Sequence, residues 1–263
     1  MDVVGALRES CDTFFYETGR RTGIDGIARM ARRMGLGEKL DFDVPGEVSG
    51  LVPDRAWKQK RFKQKWQQGD TINAAIGQGS MLATPLQLAT MTARLVNGGK
   101  AVKPVLVRSI EQEGNKIPEW PEMGFHKPYI DLILKGMEQV VNDPRGTAFG
   151  SRITQKPYSM GGKTGTAQVK KITQAQRDAG IKNQSLAWKF RHHALFVGYG
   201  PVDDPKYVTA VVVEHGVGGA VAAAPMARDL LTAVQHRDPR KIRTVDDAVA
   251  AGAAAKAGKE KTP

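Results

Sequence analysis

The chain has 263 residues, 41% of them hydrophobic, and carries a formal net charge of +12. That length suits one sizeable globular core. No run of roughly 18 apolar residues is present to cross a membrane as a helix, and no basic-then-apolar N-terminal segment reads as a secretory signal. Cys11 is the lone cysteine and cannot close an internal disulfide, so cysteine usage leaves the redox compartment open. Beside an aromatic run it reads as a small buried side chain rather than a reactive thiol. Basic residues gather at 58–65 and 170–191. Such clusters suit nucleic acid or an anionic surface, but no nucleic-acid module accompanies them. They read as solvated faces near an anionic membrane or polymer, with no nucleic-acid partner.

In chain order, Ser10-Cys11-Asp12 comes first, just before Thr13-Phe14-Phe15-Tyr16. On local grounds Ser10 is a helix-terminal hydroxyl and Asp12 an N-cap for a helix through Phe14. Thr22-Gly23-Ile24-Asp25 reads as a capping box, with Ile24, Ile27, Ala31 and Met34 on one face and a stop at Gly35. Thr84-Pro85-Leu86-Gln87 opens another helix: Thr84 as N-cap, Pro85 at the first position, Gln87 at the third. Its expected buried stripe is Leu86, Ala89, Ala93 and Val96, ended by Asn97-Gly98-Gly99. A third helix is expected over 129–141, from the helical spacing of Ile130, Ile133, Leu134, Met137 and Val141. The segment 114–128 reads as irregular.

Strands follow at 159–169, 194–199 and 207–214, the last two joined by a turn at 200–205. A closing helix is expected over 222–234. From 236 to 263 the chain is charged, then rich in Ala, Gly and Lys, and reads as a disordered tail outside a domain of residues 1–235. Helices, a three-strand antiparallel block and a last helix make an α+β layered domain.

The most informative stretch is Met160-Gly161-Gly162-Lys163-Thr164-Gly165-Thr166-Ala167. Glycines let a ligand approach the backbone closely. The Lys163 ammonium and Thr164 hydroxyl supply a charge and a hydrogen bond for an anionic group. Lys-Thr-Gly is one of three motifs of the penicillin-interacting serine acyl-transferases, beside Ser-x-x-Lys and a Ser-x-Asn type triplet. Ser10-Cys11-Asp12 matches the triplet in position. Trp57-Lys58-Gln59-Lys60-Arg61-Phe62, Gln68-Gly69-Asp70-Thr71-Ile72, Gly77-Gln78-Gly79 and Ala83-Thr84-Pro85-Leu86-Gln87 agree in order as well. From about Val4 to about Gln235 the chain resembles the transpeptidase domain of the class B penicillin-binding enzymes of cell-wall elongation, in which Asp stands where relatives carry Asn in the triplet. The blocks across 57–79 speak against a septal transpeptidase or a serine β-lactamase.

That resemblance implies a penicillin-binding/β-lactamase-like fold: an antiparallel sheet flanked by helices. It implies acyl transfer from a D-alanyl-D-alanine stem peptide to an amine of a second strand, with β-lactams acylating the same serine. Lys163, Thr164, Gly165 and Thr166 would bind substrate, the Thr166 N–H donating to the oxyanion. Ser10 would relay a proton, and Asp12 would hydrogen-bond the substrate amide or orient the catalytic lysine. Implied partners are peptidoglycan stem peptides, β-lactams and a membrane-embedded glycan polymerase, at the periplasmic face of a bacterial inner membrane. No cofactor or metal is implied.

One motif is missing from the sequence. None of Ser10, Ser49, Ser80, Ser109, Ser151, Ser159 and Ser185 has Lys three residues later, and no Thr does. A Ser-x-x-Lys pair needs that spacing to share a helix face. In the family it lies N-terminal to the triplet, so the expectation is the C-terminal part of such a domain, inactive alone, with Met1 internal to a longer protein. The alternative is a non-catalytic binding or scaffold module of the same fold. His192 and His193 open a strand and read as packing residues, as does Glu214-His215. No Cys/His cluster has zinc-site spacing. Gly161-Gly162 and Gly218-Gly219 lack the context of a phosphate loop.

Two geometric expectations follow. Ser10 and Lys163 should face one cleft, their polar atoms within roughly 3–5 Å. The segment 170–191 is longer than a hairpin needs and should lie exposed over the cleft mouth.

Overall fold

The computed structural model describes residues 1–42, 44–106, 119–170 and 172–238. Two helices open the chain. α1 (Val3–Glu9) is capped by the Asp2 carboxylate, which accepts from the Gly5 N–H, and α2 (Asp12–Arg33) follows after Ser10 and Cys11. α2 breaks at Gly23, whose φ of 72° only glycine adopts freely. Beyond the break Ile24, Ala28 and Met34 are buried, while Ile27 and Ala31 stay half-buried. Cys11 is the N-cap of α2 and Asp12 its first residue, so the helix starts one position earlier than expected. Cys11 is also half-buried rather than buried. A hydrogen bond with Thr13, then backbone donors of the first turn, hold its thiol below the usual range.

α3 (Arg55–Phe62) and α4 (Gln68–Ala75) follow, and α4 packs against α2. There a methyl on Gly19 would stand 2.3 Å from the Ala75 Cβ, so the helices touch through glycine. Within 58–65, Lys58 departs from the solvated reading. It pairs with Asp70 and lies over the Trp66 ring.

α5 (Pro85–Val96) begins as the sequence dictates, with Thr84 and Gln87 exchanging side-chain bonds to backbone. Its buried side is not the expected one. Gln87, Thr90, Thr92 and Arg94 are buried, while Leu86, Ala89, Ala93 and Val96 are half-buried. Gln87, Thr92 and Arg94 can go inside because they donate to backbone carbonyls. Gln87 Nε2 donates to the Glu38 and Ser49 carbonyls at 2.7 and 2.8 Å, and Arg94 donates to the Arg33 and Val102 carbonyls.

α6 (Lys127–Asn142) buries Ile130, Met137, Val140 and Val141. The expected irregular stretch 114–128 lies outside the described residues up to 118, and α6 already starts at Lys127. β1 (Gly161–Ala167), β2 (His193–Gly200) and β3 (Tyr207–Val213) form an antiparallel sheet in the order β1-β2-β3. Lys163 lies opposite Val197, and Gly162 opposite Gly198. Between β1 and β2 sits the short α7 (Gln174–Asp178). After a π-helical turn at Gly219–Ala223, α8 (Ala224–His236) closes the chain. α6 lies along β1, while α8 and α5 lie against β2 and β3.

Phe196, Met160, Val140, Val141, Ala227 and Leu231 form the shared core. Phe196 is fully buried, and a methyl on Gly162 would reach within 2.4 Å of its ring. The architecture is α+β, as the order of elements requires. The boundary expected at 235 falls inside α8, and Tyr207 hydrogen-bonds Asp238 beyond it. From 239 onward the expected tail lies outside the described residues. Among the described residues no helix is long and apolar enough to cross a membrane.

Candidate active site

Ser10 ends α1 in the left-handed region, at φ 56° and ψ 51°. A side chain there costs about 1–2 kcal/mol relative to glycine, yet the conformation is held from several sides. The Ser10 N–H donates to the Leu7 carbonyl and the Cys11 N–H to the Ala6 carbonyl. α1 itself is clamped to α6. A methyl on Gly136 would meet the Leu7 side chain at 2.7 Å, and Arg8 donates to Gln139 at 3.3 Å and to Asp143 at 3.2 Å. A strained residue that its surroundings over-determine is a common feature of functional sites.

That placement brings Ser10 to β1. The Lys163 Nζ donates to Ser10 Oγ at 2.8 Å, across 153 positions of sequence. It also reaches the Thr164 carbonyl at 3.0 Å and the Thr164 hydroxyl at 3.4 Å. Packing encloses the ammonium on most sides, although the side chain keeps a face toward the cleft. Burial pushes the Lys163 pKa down to about 8, and the charge of Asp12 opposes that shift. Thr164 is held from behind, its hydroxyl 2.9 Å from that of Thr147.

These groups line one cleft of about 750 Å³, with Ser10, Asp12, Lys163, Thr164, Gly165 and Thr166 all in its wall. Every site residue expected from sequence is therefore brought together. The cleft joins the start of α2, the loop after α4 and the outer side of β1. Of the segment 170–191, expected over the cleft mouth, Arg177 of α7 joins the lining. The segment is tied down at its end: Asn183 donates to the Val217 carbonyl at 2.8 Å and accepts from the His192 N–H at 3.0 Å.

Gln78 was read only as part of a family block, and Thr147 and Arg177 were not expected at the site from sequence. Gln78 Nε2 donates to the Thr166 carbonyl at 2.7 Å and so bridges the helical side to β1. Its signal was readable, since Gly77 and Gly79 both take left-handed φ values, 72° and 78°, to present it. Thr147 and Arg177 carry no comparable local mark. His192 accepts from the Val169 N–H at 3.3 Å, and burial, then His193, lower its pKa, which favours the neutral ring. His193 and His215 pack ring against ring at 4.8 Å, with Trp188 against His215, in keeping with packing roles.

A cleft of this geometry, on an α+β fold, has relatives. Over residues 1–232 the chain matches the penicillin binding protein transpeptidase domain, and it belongs to that family. Within the family its likeness is to penicillin-binding protein 2. It is 35% identical over 243 residues to the peptidoglycan D,D-transpeptidase MrdA of Escherichia coli K12, covering 90% of this chain and 38% of that protein. Pseudomonas aeruginosa PBP2 in complex with WCK 5153 superposes with a TM-score of 0.76 at 37% identity, covering 89% of this chain and 49% of the other. PBP2 of Helicobacter pylori, in its complex with MreC, superposes with a TM-score of 0.76 at 34% identity, covering 90% and 40%. The chain thus spans well under half the length of the Escherichia coli protein.

Proposed function

We propose that this chain supplies the substrate-binding wall of a peptidoglycan D,D-transpeptidase, a serine acyl-transferase that cross-links stem peptides. The observation that carries the reading is the 2.8 Å contact of Lys163 Nζ with Ser10 Oγ inside one cleft with Thr164 and Thr166. The terminal carboxylate of a D-alanyl-D-alanine peptide takes the Lys163 ammonium and the Thr164 hydroxyl, two charge-assisted bonds that offset the cost of burying the anion.

The serine of a Ser-x-x-Lys motif, not contained in these 263 residues, attacks the penultimate carbonyl. The C–O bond forms and the oxyanion accepts from the Thr166 N–H and the serine's own N–H. The lysine of that motif takes the serine's hydroxyl proton, and as the C–N bond breaks that proton passes through Ser10 to the departing D-alanine amine, with Asp12 holding the substrate amide or the catalytic lysine. In the second half an amine of another strand attacks the acyl-serine. A new C–N bond forms, the C–O bond breaks, and the amine's proton returns to the serine. One oxyanion donor is worth about 10²–10³ in rate, so the wall alone is not a working catalyst. β-Lactams take the peptide's place in the same cleft. Stem peptides, a membrane-embedded glycan polymerase and the periplasmic face of the inner membrane complete the setting.

The test is a calorimetric or NMR titration with acetyl-D-alanyl-D-alanine. Saturable binding is expected, and Lys163→Met should weaken it by about tenfold or more, the worth of a charged hydrogen bond. Unchanged affinity in that variant would remove the assignment. The absence of Ser-x-x-Lys favours one second reading, a binding module of the same fold with no catalytic role in any assembly. Restored acyl transfer on addition of a polypeptide carrying that motif would dispose of it.

A further inference from the structure

Beside the cleft lies a second cavity of about 430 Å³, and the two share Tyr16, Gln78, Gln168, Arg177 and His192 in their common wall. This annex extends away from Lys163 toward Asn73 and Ile172. Its lining contains no carboxylate, whereas the cleft contains Asp12. Its one full positive charge is Arg177, which forms no ion pair among the described residues. Around it stand groups suited to hold an oxyanion or an amide: a phenol and the amides of Asn73, Gln78 and Gln168.

Arg177 does not owe its place to chance on a loose loop. α7 has a reciprocal cap, in which the Gln176 N–H donates to the Thr173 hydroxyl and the Thr173 N–H to the Gln176 side chain. The following turn closes with the Ile181 N–H on the Gln176 carbonyl at 2.9 Å. These bonds fix the backbone that carries Arg177; its exposed guanidinium, without an ion pair among the described residues and lining a polar cavity, is a carboxylate receptor with its fork free.

We propose that the annex binds a second carboxylate of the peptide ligand through Arg177, beside the terminal carboxylate that Lys163 takes; this rests on the reading of the cleft given above. The ligand class is an acidic peptide with a side-chain or distal carboxylate. That group comes either from the same strand, upstream of its C-terminus, or from the second strand that delivers the amine. Arg177 is then a specificity residue that favours acidic over neutral peptides.

Three titrations of the whole chain decide it. The probes are acetyl-D-alanyl-D-alanine, glutaryl-glycyl-D-alanyl-D-alanine, and free glutarate added to the acetyl-peptide complex. Arg177→Ala should weaken the acetyl peptide clearly less than the acidic probe that uses the annex. It should weaken either the glutaryl peptide or glutarate by about tenfold, and Arg177→Glu should weaken it further. Loss confined to the glutaryl peptide assigns the same strand, and loss confined to glutarate assigns the second strand. The proposal is overturned if neither probe responds, or if the acetyl peptide weakens by the same factor, which would mark a general effect on the fold. Should glutarate depend on Arg177 while the acetyl peptide ignores Lys163→Met, the annex stands and the cleft assignment falls.

Discussion

Lys163 holds its proton at neutral pH with little margin, because burial has brought its pKa to about 8 from an ordinary 10.5. Two consequences have opposite directions. The proposed ligand binding through the ammonium should be intact below pH 8 and weaken as pH rises through about 8, since a neutral amine offers no charge to a carboxylate. Fold stability should behave otherwise. Between about 8 and 10.5 the unfolded chain binds more protons at this residue than the folded one, so this contribution to stability rises with pH. Titrating the acetyl dipeptide and the denaturant midpoint over pH 7–11 would check both, and Lys163→Met should flatten both slopes. Ser10 carries a related trade-off. Ser10→Gly relieves the left-handed backbone and should raise stability by about 1 kcal/mol, while costing Lys163 its hydroxyl partner and weakening the ligand. Urea unfolding and the same titration separate the two effects; a variant neither more stable nor weaker in binding would contradict them.

At the scale of the elements, what could be read from sequence followed local chemistry. The start of α5 was legible because Thr84, Pro85 and Gln87 carry the capping chemistry themselves, and all three strands were legible from composition. The inward face of α5 was not. Periodicity assigns burial to apolar residues, and here Gln87 and Arg94 go inside because carbonyls far along the chain await them. Nothing local announces those acceptors. Gln87→Leu should therefore cost about 2–4 kcal/mol, through two backbone carbonyls and the Thr84 N–H left without partners, measurable by urea unfolding. A cost near zero would mean that water or a neighbour replaces the bonds. The same limit explains the candidate site. Lys163 and Thr164 stand in a recognisable motif, and Ser10 in a weaker one, but Thr147 and Arg177 join them only through the path of the chain after α6 and β1.

The molecule as a whole places a helical wall opposite β1, with the cleft between. No Ser-x-x-Lys occurs in the sequence, so incubation with a fluorescent penicillin should leave no denaturation-resistant label on the chain; a stoichiometric adduct on any of its serines would contradict this. Reversible retention of the drug, by contrast, should persist and should disappear in Lys163→Met. One contact across the cleft bears on how the protein survives with its sheet exposed. β1 has no strand neighbour on its outer side among the described residues, and an open edge recruits stray chains. The side-chain amide of Gln78 sits on the Thr166 carbonyl, occupying that backbone acceptor as a neighbouring strand would. On the function proposed above, an extended peptide entering here would exchange one amide for another at little enthalpic penalty, while a chain with nothing to offer Lys163 would gain too little from the exchange to remain. Gln78 would in this sense be a dummy ligand at one acceptor of the open edge.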